Sequence, residues 1–465
     1  MQACRTADQL LRTALAATPR RHRLPPLAGV GAGPLAAEAD WALAQALEAA
    51  RLALLAGSAP AEGTREQFLA ALAALVRAGV AGPQPDAALQ AAVLRAHDPD
   101  VAEHARLAAR AVADRRELRA TIDAVAHPAR LPQPGHGPTA DTARELHGLA
   151  RSGDWPGLRA AAQRLRSQPP SPDAAALVGL GERLLAAPGL HRLERGAALR
   201  THPAVQRYLA LCGPAAGTPE AARDGRVAGA RGRAAEAATA EAFEAIANVL
   251  RRRVGGALRV VRGLRTPADW PGERARAKDE WDVALLCEDA ECACNLLLLA
   301  EAKASPSAVA ADLPRLLRGL DQLSRAAAGT RHPFECLEGV VALRGESLQA
   351  LAPVGARPPA QVVYSCLADP EPRPRVLSVA SRAILWTEPA SLAYADRLQR
   401  GDTPAADVLR PVWDDLLHAP RLRAVLEQGA LARTAHEALV HPHDLLAALE
   451  ALGPGSASPA GGVEA

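Results

Sequence analysis

Asp282, Glu301 and Lys303 are the residues of this chain whose types and spacing could do chemistry. They lie in KDEWDVALLCEDAECACNLLLLAEAKA, residues 278–304. WDVALL is a short apolar run holding one acid, CEDAECACN is polar turn material, and NLLLLAEAKA is a second apolar run ending in charges. The pattern predicts a β-hairpin. Alternation along a strand points Glu301 and Lys303 to the same face, and an adjacent strand can bring Asp282 to the same spot. Carboxylates are costly to gather unless a cation sits between them, so two beside a lysine suggest a site for a hard divalent metal, Mg²⁺ or Mn²⁺.

Composition sharpens this expectation. Lysine and arginine together number 54, yet only two of these are lysines, Lys278 and Lys303. The rest of this Ala-, Arg-, Leu- and Pro-rich chain has arginine at its basic positions, as a bias towards GC-rich codons would produce. Arginine stays protonated near neutrality, whereas an ammonium is a compact point charge whose pKa can be moved. A task in proton handling or water positioning therefore resists the replacement.

Asp282, a hairpin, and then Glu301-Ala302-Lys303 resemble the PD-(D/E)xK phosphodiesterase superfamily, the restriction-endonuclease-like nucleases. Trp281 stands where the motif's proline would be. The resemblance covers roughly residues 230–390, about a third of the chain. It implies a core running helix, three strands, helix, strand, and metal-dependent hydrolysis of a phosphodiester. By that resemblance Asp282, Glu301 and the backbone carbonyl of Ala302 would hold the metal, Lys303 would orient water or stabilise the transition state, and the substrate would be nucleic acid, with DNA preferred over RNA. A glutamate on the first helix often assists in this family, and Glu236 matches that pattern.

The elements that must position these residues are legible around them. A helix is predicted over about 233–254, with Phe243, Ile246, Ala247, Leu250 and Val254 on one apolar stripe. Glu236 falls on that stripe, Glu241 lies opposite, and Glu244 on the flank is the alternative acid. Glu236 could equally be a first-turn acid favoured by the helix dipole. ALRVVRGLRTP from Ala257 reads as a strand. Ser305 or Ser307 would cap a helix whose buried stripe is Leu313, Leu316, Leu317, Leu320 and Leu323. QVVYSCLAD from Gln361 reads as the next strand, and RVLSVASRAILW as a candidate further one.

Between Arg251 and Lys278 nine basic residues face two acids, Asp269 and Glu273. Arg259, Arg262 and Arg265, with Arg274, Arg276 and Lys278 in the following loop, could neutralise phosphates of a bound strand, and a solvated charged face is the competing explanation. Trp270 would either stack on a base or close the core.

The whole is 465 residues with net charge +3 and 3% aromatics. That predicts two to three domains cored by Leu, Ala and Val, and confines any nucleic-acid footprint to a local patch. The expected architecture is α+β and multidomain. It comprises an all-α region over 1–212, a linker over 213–232, a restriction-endonuclease-like αβββαβ core with a mixed sheet over 233–390, helices over 391–452, and a disordered tail over 453–465. Runs such as EADWALAQALEAARLALLAG carry the helical period, and 146–190 resembles a helical-hairpin repeat turning at Gly153-Asp154-Trp155. The helical region is a candidate platform for a protein partner.

MQACRTADQLLRTALAATPRR lacks the apolar core of a secretory leader, and no apolar stretch is long enough to span a bilayer, so a cytoplasmic chain without membrane contact is expected. Seven cysteines without framework spacing suggest reduced thiols. Zinc held by Cys287, Cys292, Cys294 and Cys336 is disfavoured by their spacing, and His436, His441 and His443 suit capping or surface roles. Two other readings of the hairpin stand beside catalysis. Its charges could be a cross-strand ion pair, or the nuclease-like core could be a binding scaffold in a larger assembly.

Overall fold

A strand buried on both faces must be apolar almost throughout, and this is why WDVALL and NLLLLA read as continuous runs. In the computed structural model they are the centre of a sheet covered by helices on two sides. The structure describes residues 2–27, 39–127, 138–167, 175–214, 218–272, 276–372 and 374–453. The chain divides into two compact units, one of Met1–Leu75, Ala216–Leu385 and Ala406–Ala465, the other of Val76–Ala215 and Trp386–Ala405. The helical region expected over 1–212 is therefore split, its first 75 residues joining the sheet-bearing unit.

The chain opens with α1 (Gln2–Ala17), α2 (Ala39–Leu55) and α3 (Glu62–Ala81). There follow α4 (Ala87–His97), α5 (Pro99–Ala126), α6 (Pro138–Ser152), α7 (Trp155–Arg166), α8 (Ala175–Ala186), α9 (Pro188–Leu199) and α10 (Pro203–Cys212). Helices α5 to α9 share one apolar core around Leu118, Leu146, Trp155, Leu158 and Leu180. The turn expected at Gly153-Asp154-Trp155 is there: Gly153 has a φ of 74°, and Asp154 caps α7 by accepting the Gly157 N–H at 2.9 Å.

Helix α11 (Pro219–Val254) starts at the Thr218 cap and runs through most of the expected linker. Gly225, Gly229 and Gly232 sit inside it, so a stretch read as a break is helix. After it come β1 (Ala257–Arg265), β2 (Glu280–Glu288), β3 (Cys294–Ala302), α12 (Val309–Leu323), β4 (Arg331–Cys336), β5 (Gly339–Arg344), α13 (Gly345–Gln349) and β6 (Val362–Ser365). RVLSVASRAILW is not a strand: its apolar run forms α14 (Val379–Thr387). The chain continues through α15 (Pro389–Gln399), α16 (Arg410–His418), α17 (Arg423–Glu437), β7 (Leu439–Val440) and α18 (Pro442–Ala451). All but the first residue of the expected tail lies outside the described residues.

Strands β1, β2 and β3 form an antiparallel meander, and β6 pairs parallel to β3, with β7 parallel to β6 beyond it. The β4–β5 hairpin bridges β1 and β3, so β2-β1-β4-β5-β3 closes on itself as a five-strand barrel. Two of its seams are thin, each carried by one residue pair, Arg265 with Glu335 and Cys294 with Leu343. On one face Leu264, Trp281, Leu286 and Leu299 pack with Leu313, Leu316 and Leu320 of α12; on the other, Val283, Leu285 and Leu298 pack with α1, α11 and α18.

Cys4 of α1 and Cys287 of β2 are joined by a disulfide with their Cα atoms 5.7 Å apart. For these two the expectation of reduced thiols is corrected, because α1 covers β2 and a separation of 283 residues in sequence vanishes in space. Cys212, Cys292, Cys294, Cys336 and Cys366 are free. Peptide mapping without reductant is expected to recover Cys4 and Cys287 linked, and reduction or Cys4→Ser to lower stability by about 2–4 kcal/mol. An unlinked pair and an unmoved denaturation midpoint would exclude the cross-link from the fold.

Candidate functional site

The end of β3 gathers the charges. Glu301 is 5% exposed and lies between the two lysines of the chain: Lys303 Nζ stands 2.9 Å from Oε1, and Lys278 Nζ 2.6 Å from Oε2. Lys278 meets Oε2 as a charge pair off the hydrogen-bond axis, and that buried oxygen has no hydrogen-bond partner. Asp282, one strand over, accepts the Ala302 N–H at 2.8 Å. Lys303 also lies 3.3 Å from Asp312 of α12, which accepts the Tyr364 hydroxyl at 3.2 Å. Both ammoniums lie 5.8 Å from an aromatic ring centroid, Lys278 over Trp281 and Lys303 over Tyr364.

Local packing explains how Lys278 arrives there. Helix α12 presses against residue 278 at Gly319, where a Cβ would stand 2.6 Å from the Lys278 carbonyl oxygen and 2.9 Å from its Cβ. Only glycine permits that approach. Lys278, 6% exposed, thus belongs to the site and is corrected from its expected place on a phosphate-binding face. A buried ammonium facing a carboxylate is a core ion pair, and separating it would leave both charges desolvated.

Burial pushes the Asp282 carboxyl up to about 7, helped by the neighbouring charge of Glu301 and, more weakly, of Glu236; Lys278 and the Ala302 N–H pull the other way. Glu236 itself is exposed in the middle of α11, well past the first turn, so the dipole explanation for it falls away. Glu244 faces elsewhere, 3.6 Å from Arg251. Lys303 has its pKa raised: burial opposes its charge, but Glu301 and then Asp312 outweigh that. Tyr364 is held protonated by burial and by Asp312.

The remaining basic candidates are dispersed into pairs. Arg259 lies 3.8 Å from Glu288, Arg262 2.7 Å from Glu338 and Arg265 3.5 Å from Glu280. Arg276 is exposed and offers its carbonyl to Arg318, and Arg274 lies outside the described residues. Trp270 closes the core, donating its indole N–H to the Gln322 carbonyl at 2.8 Å and packing edge-on to Phe334. His436 is buried with Nδ1 2.7 Å from the His22 carbonyl, so it is neither cap nor surface.

Sequence reasoning missed Asp312 and Tyr364. The signal for Asp312 was present, because it sits one residue before Leu313 and four before Leu316, on the inward stripe of α12, where an acid needs a partner. Tyr364 required the register of β6 on β3, which sets it opposite Glu301.

Among the described residues no three His, Cys, Asp or Glu side chains form a metal cage. The donor chemistry still suits Mg²⁺, which keeps several waters and is held by one or two carboxylates together with substrate phosphates. Asp282 and Glu301 are hard oxygen donors, although both Glu301 oxygens already face an ammonium, Oε1 that of Lys303 and Oε2 that of Lys278.

A carboxyl whose folded pKa lies above its unfolded value binds its proton more tightly when folded. The stability it contributes is present below the ordinary value of 3.8 and is lost as pH rises through about 7. In chelator-treated buffer, Asp282→Asn is expected to flatten the decline in stability across that window, read by urea denaturation; parallel wild-type and variant curves would show that Asp282 is not buried beside other charge. Comparison with known proteins gives no relative: no family model, curated protein or solved structure matches the chain.

Proposed function

We propose that the chain is a metal-dependent phosphodiesterase acting on nucleic acid, with a restriction-endonuclease-like core. The observation that carries the reading is the meeting of Asp282, Glu301 and Lys303 at the adjoining ends of β2 and β3, with the charge of Glu236 felt at Asp282. It is further supported by the element order α11-β1-β2-β3-α12-β6, the helix, three strands, helix, strand that the resemblance implies. The β4–β5 hairpin and its barrel closure are additions to that order.

Asp282 and Glu301 would hold Mg²⁺ or Mn²⁺, with Glu236 and the Ala302 carbonyl as further donors by resemblance. The bound ion would supply an acidified water and neutralise charge developing on the phosphoryl oxygens. Lys303 donates towards the reacting centre, kept protonated by Glu301 and fixed in direction by Asp312. Tyr364, donating to Asp312, holds that carboxylate in turn. Lys278 holds Glu301 from the other side, and the Ala302 N–H fixes one Asp282 oxygen. DNA is the preferred substrate on the resemblance alone, and the helical unit is the candidate surface for a protein partner.

Calorimetric titration of Mg²⁺ or Mn²⁺ is expected to show binding to wild type and none to Asp282→Ala. Lys303→Ala should stay folded and bind metal, yet cut single- or double-stranded DNA about 10²–10³-fold more slowly. A folded wild type that takes up no metal would make the cluster a structural ion pair in a scaffold, and an unchanged rate in Lys303→Ala would remove that lysine from the chemistry.

A further inference from the structure

The run Arg20-Arg21-His22-Arg23, which follows α1, takes no part in the charge cluster described above. Arg21, His22 and Arg23 line a cavity of about 40 Å³. Its other walls include Ser307, Arg375 and His436, with Glu371 the one carboxylate among the lining residues. A space that size holds roughly three waters, room for the oxygens that one phosphoryl group would turn inward.

Three observations point to a ligand. His22 is 6% exposed, and its Nε2 is buried without a hydrogen-bond partner. An orphaned ring nitrogen at that depth costs free energy that a bound group would recover. Arg21 is already paired with Asp444, but among the described residues Arg23 and Arg375 form no ion pair, so two exposed guanidiniums stand at the cavity uncompensated except by Glu371. The Ser307 hydroxyl is 2.8 Å from that of Ser305, a pair able to turn one O–H outward. Guanidiniums with a hydroxyl and an imidazole suit the planar, many-donor recognition of phosphate.

The position adds a direction. Ser307 follows Lys303 by four residues, so chain length alone keeps it within about 14 Å of that lysine. At about 3.4 Å per nucleotide along a strand, this is a reach of about four nucleotides.

We propose that this cavity binds a phosphoryl group, and that its source is the backbone of a nucleic-acid strand within about four nucleotides of the bond presented to Lys303. The choice of strand as source rests on the nuclease reading; the phosphoryl chemistry stands on the cavity alone.

The test uses the full chain and the variant carrying Arg23→Gln and Arg375→Gln, two surface changes, with folding checked by circular dichroism. Inorganic phosphate is titrated calorimetrically into each, and binding of a labelled single-stranded oligonucleotide is followed against salt with chelator present, so that turnover plays no part. The variant is expected to bind phosphate about tenfold more weakly or worse. Its log–log salt dependence for the oligonucleotide should be shallower by about 1.4, the share of two phosphate contacts. Phosphate binding that the substitutions weaken, with an unmoved oligonucleotide slope, would overturn the strand as source in favour of free phosphate. A wild type that binds no phosphate, together with an unmoved slope, would overturn the site. Both expected effects in a protein that cuts no DNA with Mg²⁺ would uphold the cavity while the nuclease reading failed.

Discussion

The sheet-bearing unit depends on how one buried carboxylate is satisfied. Glu301 lies one residue before the end of a strand whose preceding residues, Leu296 to Ala300, are all buried, and a charge at that depth is tolerable only with opposite charge in contact. Two ammoniums supply it from different directions. Lys303 comes from two residues on, just past the end of the same strand. Lys278 comes from the segment before β2 and is trapped there by α12 closing over Gly319. The fold around the site follows from that demand: β2 must lie beside β3, α12 must cover both, and Tyr364 of β6 must reach Asp312 so that Lys303 is held from its far side.

Three carboxylates, Asp282, Glu301 and Asp312, share two ammoniums, and this imbalance falls on Asp282. Its carboxyl is desolvated and sits near Glu301 with a single backbone N–H to steady it. A site arranged purely for stability would put a third cation there or replace the acid with an apolar side chain, since well-packed apolar residues often do better than buried ions. The unmet negative charge is the physical argument for a function here.

Much of this was legible in the sequence because period and burial agree. β1, β2, β3, β6 and α12 sit where alternation and the leucine stripe place them, and the pairing of Glu301 with Lys303 followed from strand geometry. Local rules failed where tertiary context decided. Glycines in 219–232 signalled a break, yet the segment is carried as helix by its continuation into the buried half of α11. RVLSVASRAILW has the apolar density of a strand, but Ser378 within it caps α14, its hydroxyl accepting the Ser381 N–H at 3.0 Å. The β4–β5 hairpin, short and opening on His332-Pro333, gave no alternation to read. Lys278 looked like part of a basic surface because charge patterning along the chain carries no depth, and the Cys4–Cys287 link spans too much sequence for spacing to signal it.

The unit that holds the charge cluster is sewn from segments far apart in sequence. Cys4, Leu10 and Leu11 of α1 share a core with Leu445 and Leu449 of α18, and β7 completes the sheet beside β6. A ribosome delivers these pieces in order, at about 5–20 residues per second, so α1 waits on the order of half a minute or more before α18 exists for it to pack against. Throughout that interval the part of α1 that meets α18 is bare and the central strands lack part of their cover. The non-local wiring makes this a slow-folding unit. Whatever chemistry it performs is withheld until α18 has been made, a form of timing written into topology alone.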